Sequence, residues 1–184
     1  YISPLKALAV DVQRNLMAPV TEMGLAVRIE TRTGDTPASR RARQRHRPPQ
    51  ILLTTPEQLA LLISHPQADR LLGKLRAIVL DELHALVTSK RGDLLALGLA
   101  RLRSLAPQAI GVGLSATVAR PSELRAFLVP QAPDDGVTRL AGLVLAKGGA
   151  EPEIIVGAQE VGLLDAERLH QRGEGLGLHL RGRA

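Results

Sequence analysis

Two carboxylates in the middle of the chain have the type and spacing that nucleotide hydrolysis requires. Asp81 and Glu82 directly follow the apolar run 77–80, and His84 comes two residues later. A short aliphatic run predicts a buried strand of a parallel sheet, and open α/β sheets bind their ligands at the carboxyl ends of the strands. One carboxylate placed there can hold Mg²⁺ between phosphates, and the next can orient or deprotonate a water. The simpler alternative is that the pair ends the strand and caps a helix.

Three further polar clusters follow predicted strands and would reach the same edge of the sheet. They are Ser3, Pro4 and Lys6 after the first strand, Thr54, Thr55, Pro56 and Glu57 after the third, and Ser115, Ala116 and Thr117 after the fifth. Each cluster brings hydroxyls and backbone N–H groups close to a helix N-terminus, an arrangement that suits phosphate oxygens. Any one cluster is explained equally well as an ordinary cap or turn. Four polar sites in this order favour a shared phosphate-binding edge.

Strand-like and helix-like segments alternate along the chain, which predicts an α/β fold with a parallel sheet. We expect helices over residues 5–23, 56–64, 93–105 and 121–128, with a short arginine-rich helix ahead of residue 48. Strands are expected over residues 25–31, 51–54, 77–80, 109–114 and 140–145, and residues 1–3 look like a strand end. Beyond residue 157 the pattern is irregular, with one further helix expected over residues 163–170.

Composition and charge limit the function classes. The 184 residues are 45% hydrophobic without an apolar stretch of membrane-spanning length, and the absence of cysteine excludes disulfides and thiolate metal sites. A net charge of +6 favours a polyanionic partner. Tyr1 and Phe127 are the only aromatic residues, so contacts to nucleic acid should go mainly to phosphates. The basic excess is concentrated in Arg40, Arg41, Arg43, Arg45, His46 and Arg47. A solvated face is the alternative for that run.

Taken together, these motifs resemble the first motor domain of a superfamily 2 DExH-box helicase, and most of all the ligase-associated type of the Lhr (large helicase-related) family. Residues 1–8 are similar to motif Ia, 33–36 to motif Ib, 51–57 to the next nucleic-acid-contacting motif, 81–84 to motif II and 113–117 to motif III. The segment 89–92 (Ser-Lys-Arg-Gly) also follows motif II in Lhr proteins. The resemblance extends to about Pro152 and implies a RecA-like (P-loop NTPase-type) parallel sheet with helices on both faces.

The resemblance implies a role for each matched residue. Asp81 would hold Mg²⁺ through water, Glu82 would polarise the water that attacks ATP, and His84 would assist at the catalytic site while relaying the nucleotide state. Ser115, Ala116 and Thr117 would couple that state to the nucleic acid. The single-strand backbone would run along Ser3, Pro4, Lys6, Thr33, Gly34, Asp35, Thr54, Thr55, Pro56 and Glu57. For His84, a hydrogen-bonded core histidine is the alternative.

The resemblance also implies parts that this sequence does not match, namely the phosphate loop and the second motor domain. We therefore interpret the chain as a fragment, inactive alone, with a partial first motor domain over residues 1–152 and an unassigned tail over residues 153–184. The expected parent is a bacterial, cytoplasmic, nucleoid-associated helicase that uses ATP and Mg²⁺ on single-stranded or partly duplex DNA in repair, without membrane contact. The alternatives are an RNA helicase fragment or a catalytically dead nucleic-acid-binding or interaction module.

Overall fold

The computed structural model describes residues 1–116, 120–132, 136–145 and 153–157. In chain order the helices are α1 (Lys6–Glu22), α2 (Ala38–His46), α3 (Pro56–Ile63), α4 (Ala68–Leu72), α5 (Leu83–Val87), α6 (Lys90–Leu105) and α7 (Pro121–Phe127). The strands are β1 (Ile29–Arg32), β2 (Ile51–Thr54), β3 (Ala77–Leu80), β4 (Ile110–Ser115), β5 (Gly142–Leu145) and β6 (Glu153–Gly157). Helices and strands alternate up to α7, so the predicted α/β class is confirmed.

The strands that carry the predicted motifs run parallel. β1 pairs with β2, and β3 pairs with β4, both in parallel register. Ile2 joins the two pairs, because it forms parallel bridges to Thr54 and to Leu80. Its N–H donates to the Val79 carbonyl at 2.8 Å, and its carbonyl accepts from the Asp81 N–H at 2.9 Å. The carboxyl ends of these strands therefore lie at one edge, as the sequence predicted.

Helices cover both faces of the sheet because neighbouring residues of a strand point to opposite sides. On one face Leu53 packs with Ile29 and with Ala9 of α1. On the other face Leu52 packs against the larger core. The helical part of that core is built from Leu59, Leu62, Leu72, Leu83, Leu86, Leu95, Leu99, Leu102 and Leu124 of α3, α4, α5, α6 and α7. This two-sided arrangement confirms the predicted fold class.

Some element boundaries differ from the prediction for identifiable reasons. The first full strand begins at Ile29 instead of residue 25, because the Leu25 N–H donates to the Val20 carbonyl and closes α1 around Gly24, whose φ is +63°. The helices α4 and α5 were not predicted, since five residues are too few to show a helical period. Among the described residues, no helix is long and apolar enough to cross a bilayer.

The parallel arrangement does not extend to the last two strands. β6 is antiparallel to both β4 and β5. Seven residues, 146–152, separate β5 from β6, and a parallel crossover needs a dozen or more. β6 (Glu153–Gly157) therefore belongs to the same sheet as β4. The boundary between motor domain and tail that the sequence placed at residue 152 remains a prediction. The helix expected over residues 163–170 lies outside the described residues.

Candidate functional site

The two carboxylates lie in a tight turn between β3 and α5. The Asp81 side chain accepts a hydrogen bond from the Glu82 N–H at 3.0 Å. Glu82 has φ +49° and ψ +46°, and within the described residues no other non-glycine residue has positive φ. Such a left-handed conformation costs roughly 1–3 kcal/mol and occurs often at functional sites. Leu83 and Leu86 are fully buried and anchor the turn, so both carboxylates stay half-exposed at the edge.

His84 connects the carboxylate turn to the end of the neighbouring strand. Its Nδ1 lies 2.7 Å from the hydroxyl oxygen of Ser115, the last residue of β4. The same Nδ1 lies 3.5 Å from a Glu82 carboxylate oxygen. The structure thus brings Asp81, Glu82, His84 and Ser115 together, as the motifs predicted. Ala116 is exposed just beyond β4, and the predicted coupling residue Thr117 lies outside the described residues.

A glycine in β4 lets α5 approach the sheet this closely. A Cβ on Gly113 would lie 2.7 Å from a terminal methyl of Leu83 and 2.9 Å from one of Leu128. A side chain at this position would force the methyls of Leu83 and Leu128 to move, and both leucines are buried; Leu83 lies between Glu82 and His84. Gly113 therefore contributes to the site by leaving space for the side chain of Leu83 against β4.

The segment 89–92 fixes the start of α6 beneath the carboxylate turn. The Ser89 hydroxyl donates to the Leu86 carbonyl at 2.8 Å and accepts from the Gly92 N–H at 3.3 Å, which caps the helix. A Cβ on Gly92 would lie only 2.3 Å from the Leu86 carbonyl oxygen. Arg91 reaches α3 and donates to both carboxylate oxygens of Glu57, at 2.5 and 3.1 Å. The segment thus ties α3, α5 and α6 together.

The polar residues that follow Ile2 and β2 form a mostly buried floor at the same edge. The Ser3 N–H donates to the Thr54 carbonyl at 2.9 Å, and the Thr54 hydroxyl donates to the Arg32 carbonyl at 2.8 Å. The Ser3 hydroxyl is buried without a hydrogen-bond partner among the described residues. Of the ten residues predicted to line the strand, Ser3, Pro4, Thr33, Thr54, Thr55 and Pro56 are buried, whereas Lys6, Gly34, Asp35 and Glu57 are exposed. Their contact with nucleic acid remains a prediction.

Arg41 of α2 stabilises the turn 33–36, a role that the sequence did not predict. Within the turn the Thr33 N–H donates to the Thr36 hydroxyl at 2.9 Å. The Arg41 guanidinium donates to the carbonyls of Thr36 at 2.7 Å, Gly34 at 2.6 Å and Thr33 at 3.4 Å. Three carbonyls bound by one planar cation give the turn a defined shape. The only feature of the sequence that could have indicated this contact is the position of Arg41, five residues after Thr36.

An ion pair bridges this turn to the start of α1. The Lys6 ammonium donates to both carboxylate oxygens of Asp35, at 3.0 and 3.1 Å. Both side chains are more than half exposed, so solvent screens the pair and its contribution to stability is about 0–1 kcal/mol. Lys6 can therefore exchange Asp35 for another anion at little cost.

Tyr1 is a second residue that sequence reasoning missed. Its ring packs against the smaller core beside Leu53. Burial, followed by a hydrogen bond with Asp81 and by the charges of Asp81 and Glu82, raises the pKa of the Tyr1 hydroxyl well above its ordinary value. The hydroxyl therefore stays protonated and can donate to the Asp81 carboxylate. The one feature of the sequence that could have drawn attention to Tyr1 is that it is one of only two aromatic residues in the chain.

The pair of Glu57 with Arg91 predicts a pH-dependent contribution to stability. The Arg91 hydrogen bond lowers the pKa of Glu57 to about 2, from an ordinary value of 4.5. A lowered folded-state pKa stabilises fully above pH 4.5, and that stabilisation is lost as pH falls toward 2. Because both side chains are over a third exposed, we expect Glu57→Gln to cost about 1 kcal/mol at neutral pH and less at about pH 3.

Urea unfolding of the wild type, Glu57→Gln and the matched Arg91→Gln variant at both pH values measures this difference. The two variants should lose similar stability at neutral pH. A loss that is equally large at both pH values would show that the ion pair is not its cause.

Comparison with known proteins places the chain in a family. The profile of the DEAD/DEAH box helicases matches residues 1–124. The chain is 44% identical over 144 residues to the Lhr helicase/probable uracil glycosylase of Mycolicibacterium smegmatis, covering 72% of this chain and 10% of that protein. It is 42% identical over 139 residues to the ATP-dependent helicase Lhr-Core of Methanocaldococcus jannaschii, covering 70% of this chain and 16% of that protein. The chain thus spans about a tenth to a sixth of the length of these curated relatives.

Solved structures agree. The structure of the Mycobacterium smegmatis helicase Lhr bound to ssDNA and AMP-PNP superposes with a TM-score of 0.65 at 44% identity, over 72% of this chain and 18% of that one. The DUF1998 helicase MrfA bound to DNA superposes with a TM-score of 0.61 at 31% identity, over 70% of this chain and 19% of that one. With the family profile, the sequence relatives and the shared fold in agreement, the chain belongs to the DEAD/DEAH box helicases and is a homologue of the Lhr helicases.

Proposed function

We propose that this chain is part of the first motor domain of an ATP-dependent DNA helicase, in which residues 1–152 contribute to the ATP site and to the path of a single strand. The observation that carries the proposal is the connection from Glu82 through His84 to Ser115 across the ends of β3 and β4. Support comes from relatives that are named ATP-dependent helicases and from the solved relative that holds ssDNA and AMP-PNP. Residues 153–184 remain an unassigned tail in this proposal.

The carboxylate turn fits a magnesium nucleotide better than a metal alone. The described residues contain no cluster of three or more His, Asp or Glu that could hold a metal by themselves. Mg²⁺ is usually bound by one or two carboxylates together with waters and substrate phosphates, so Asp81 would hold it through water. When bound, the ion neutralises charge on the phosphates. Glu82, half-exposed in the same turn, would orient the attacking water and accept its proton.

His84 and Ser115 would carry the state of the nucleotide site to the nucleic-acid edge. A change at the Glu82 carboxylate alters the environment of the His84 imidazole 3.5 Å away, and the imidazole shares a hydrogen bond with the Ser115 hydroxyl. Ser115 ends β4 and Ala116 follows it, and Thr117 is assigned to coupling from its place in the motif alone. A motor needs such a connection, because hydrolysis at one site must change the grip at another.

The nucleic-acid edge would combine the buried floor with exposed groups from the turn 33–36 and α1. Lys6 would contact a phosphate in place of Asp35, and backbone groups of Gly34 and of the start of α3 would contact others. Contacts to phosphates are independent of base sequence, which suits an enzyme that moves along any strand. DNA is preferred as the substrate because the solved relatives contain DNA. Such a motor would work at the nucleoid on single strands or partly duplex DNA, together with a second motor domain.

Replacing Lys6 tests the edge in the complete protein that carries this chain. Lys6→Ala is expected to raise the single-stranded DNA concentration for half-maximal ATPase stimulation about 3- to 10-fold, since one charge-assisted hydrogen bond to a phosphate is lost. The maximal rate should stay the same because the carboxylate turn is unchanged. Lys74→Ala removes the same charge from another exposed position and serves as the control.

DNA titrations of steady-state ATP hydrolysis measure both parameters. DNA binding without any ATP hydrolysis by the complete wild-type protein would support the catalytically dead module instead. An equal effect of Lys6→Ala and Lys74→Ala would remove Lys6 from the proposed path.

A further inference from the structure

The arginine-rich helix α2 lies outside the motifs. Its contacts with β1 show in which direction it runs along the sheet. Arg41 lies beside Arg32, because Arg32 donates to the Arg41 carbonyl at 3.4 Å. Further along, the buried side chain of Gln44 donates to the Thr31 carbonyl at 3.1 Å. Arg28 donates to the Arg47 carbonyl at 3.4 Å. α2 therefore runs back along β1, from the turn 33–36 at the ligand edge toward the opposite end of the sheet.

The arginines of this segment divide into two groups by exposure. Arg41 and Arg45 are half-buried, on the side that contacts the turn and the sheet. Arg40, Arg43 and Arg47 are exposed. Arg40 and Arg43, three residues apart, share one face of α2, and Arg47 follows at the end of the helix, where its N–H donates to the Arg43 carbonyl at 2.8 Å. We call these three the arginine ridge. A helix of nine residues is about 14 Å long, so the ridge is a narrow row of positive charge that begins at the ligand edge.

Little negative charge compensates the ridge from within the protein. Glu30 pairs with Arg43 at 3.0 Å. In the part of the chain that the structure describes, no carboxylate is within ion-pair distance of Arg40 or Arg47. On the inner side of α2, burial and then the charges of Arg41 and Arg45 lower the pKa of the neighbouring Arg32, so the ridge is one part of a segment rich in positive charge. Crowded like charges repel each other, and a polyanion would relieve that repulsion.

We propose that the arginine ridge binds the phosphate backbone of the same single strand where it extends beyond the motif-lined edge. The proposal rests on the proposed function, since it requires a strand at that edge. A single strand is the occupant that fits, because one row of guanidinium groups follows one backbone and the row continues from the turn 33–36. Guanidinium groups also match phosphate geometry closely.

The test compares ridge variants on single strands of two lengths with the complete protein. The shorter strand is the shortest oligonucleotide that saturates ATPase stimulation, and the longer one has twice that length. The triple variant Arg40→Gln/Arg43→Gln/Arg47→Gln should bind the longer strand about tenfold more weakly than the wild type. Its slope of log affinity against log salt should fall by about 2, given about 0.7 for each lost single-strand phosphate contact. Binding of the shorter strand should be unchanged.

Two further variants separate local contact from net charge and from misfolding. Lys74→Gln/Arg76→Gln/Arg101→Gln removes three exposed charges elsewhere and should leave both strands' affinities unchanged. Arg40→Gln alone should lower the slope by about 0.7, and it should not disturb the fold because no hydrogen bond of the Arg40 side chain is found among the described residues.

Several results would overturn the proposal. These are equal losses in the ridge and control variants, an unchanged slope with the longer strand, or a loss that is confined to blunt duplex DNA. If the wild-type complete protein shows no DNA-stimulated hydrolysis, the proposed function fails first. If the wild type is stimulated normally and the ridge variants bind the longer strand like the wild type, the ridge proposal alone fails.

Discussion

Replacing Glu82 with glutamine is expected to slow ATP hydrolysis by the complete protein about 10²–10⁴-fold, while nucleotide affinity changes little. Glutamine keeps the size of the side chain and most of its hydrogen bonding but loses the negative charge that orients water and accepts a proton. The loss corresponds to roughly 3–5 kcal/mol of activation free energy. Single-turnover hydrolysis and equilibrium binding of a nucleotide analogue measure the two effects separately.

Asp81→Ala is the matched comparison, because it removes the neighbouring carboxylate of the same turn. We expect it to weaken binding of the magnesium nucleotide, since the ion loses its protein anchor. Asp81 also accepts the Glu82 N–H at 3.0 Å, so its removal should loosen the turn as well. Equal losses of nucleotide affinity in Glu82→Gln and Asp81→Ala would mean that the two roles are assigned wrongly.

The left-handed backbone at Glu82 explains why this turn was only partly predictable. The sequence indicated a strand up to Leu80, followed by two carboxylates and a histidine. The structure confirms the strand and places the carboxylates directly after its carboxyl end. Strain at a non-glycine residue has no signature in residue types or periodicity, because it persists only where the surrounding structure fixes the backbone. Here Leu83 and Leu86, which follow the turn, are fully buried. The direction in which Glu82 and His84 leave the turn could therefore be seen only in the structure.

Long-range contacts account for most of what the sequence left open. Thr54 and Ser3 were predicted at one edge because strand ends of a parallel sheet align, but their burial depends on how tightly Ile2 joins β2 and β3. The hydrogen bonds of Arg41 to the turn 33–36 and of Arg91 to Glu57 join residues of different elements. Periodicity predicts which face of an element is apolar, whereas it carries no information about which surface arginine reaches which carbonyl or carboxylate.

The second large effect is expected at Gly92, where α6 begins against α5. Gly92→Ala should lower the free energy of unfolding by about 3 kcal/mol, at the upper end of overpacking costs. The added Cβ would lie 2.3 Å from the Leu86 carbonyl oxygen and 3.1 Å from that of Val87. Both atoms belong to backbone that cannot rotate away, so α6 must shift against α5 and carry the Ser89 cap and Arg91 with it. Chemical denaturation followed by circular dichroism measures the loss.

Gly98→Ala on the same helix is the matched control for this prediction. Its Cβ would approach a terminal methyl of Leu59 at 3.1 Å, which is the movable end of a side chain. Alanine also favours the helix over glycine by about 1 kcal/mol, so we expect a net change close to zero at this position. If Gly92→Ala and Gly98→Ala unfold at the same denaturant concentration, the close approach of α6 to the Leu86 carbonyl is not what requires a glycine. Loss of stability at position 92 alone would assign the glycine of the segment 89–92 to the packing that supports the carboxylate turn.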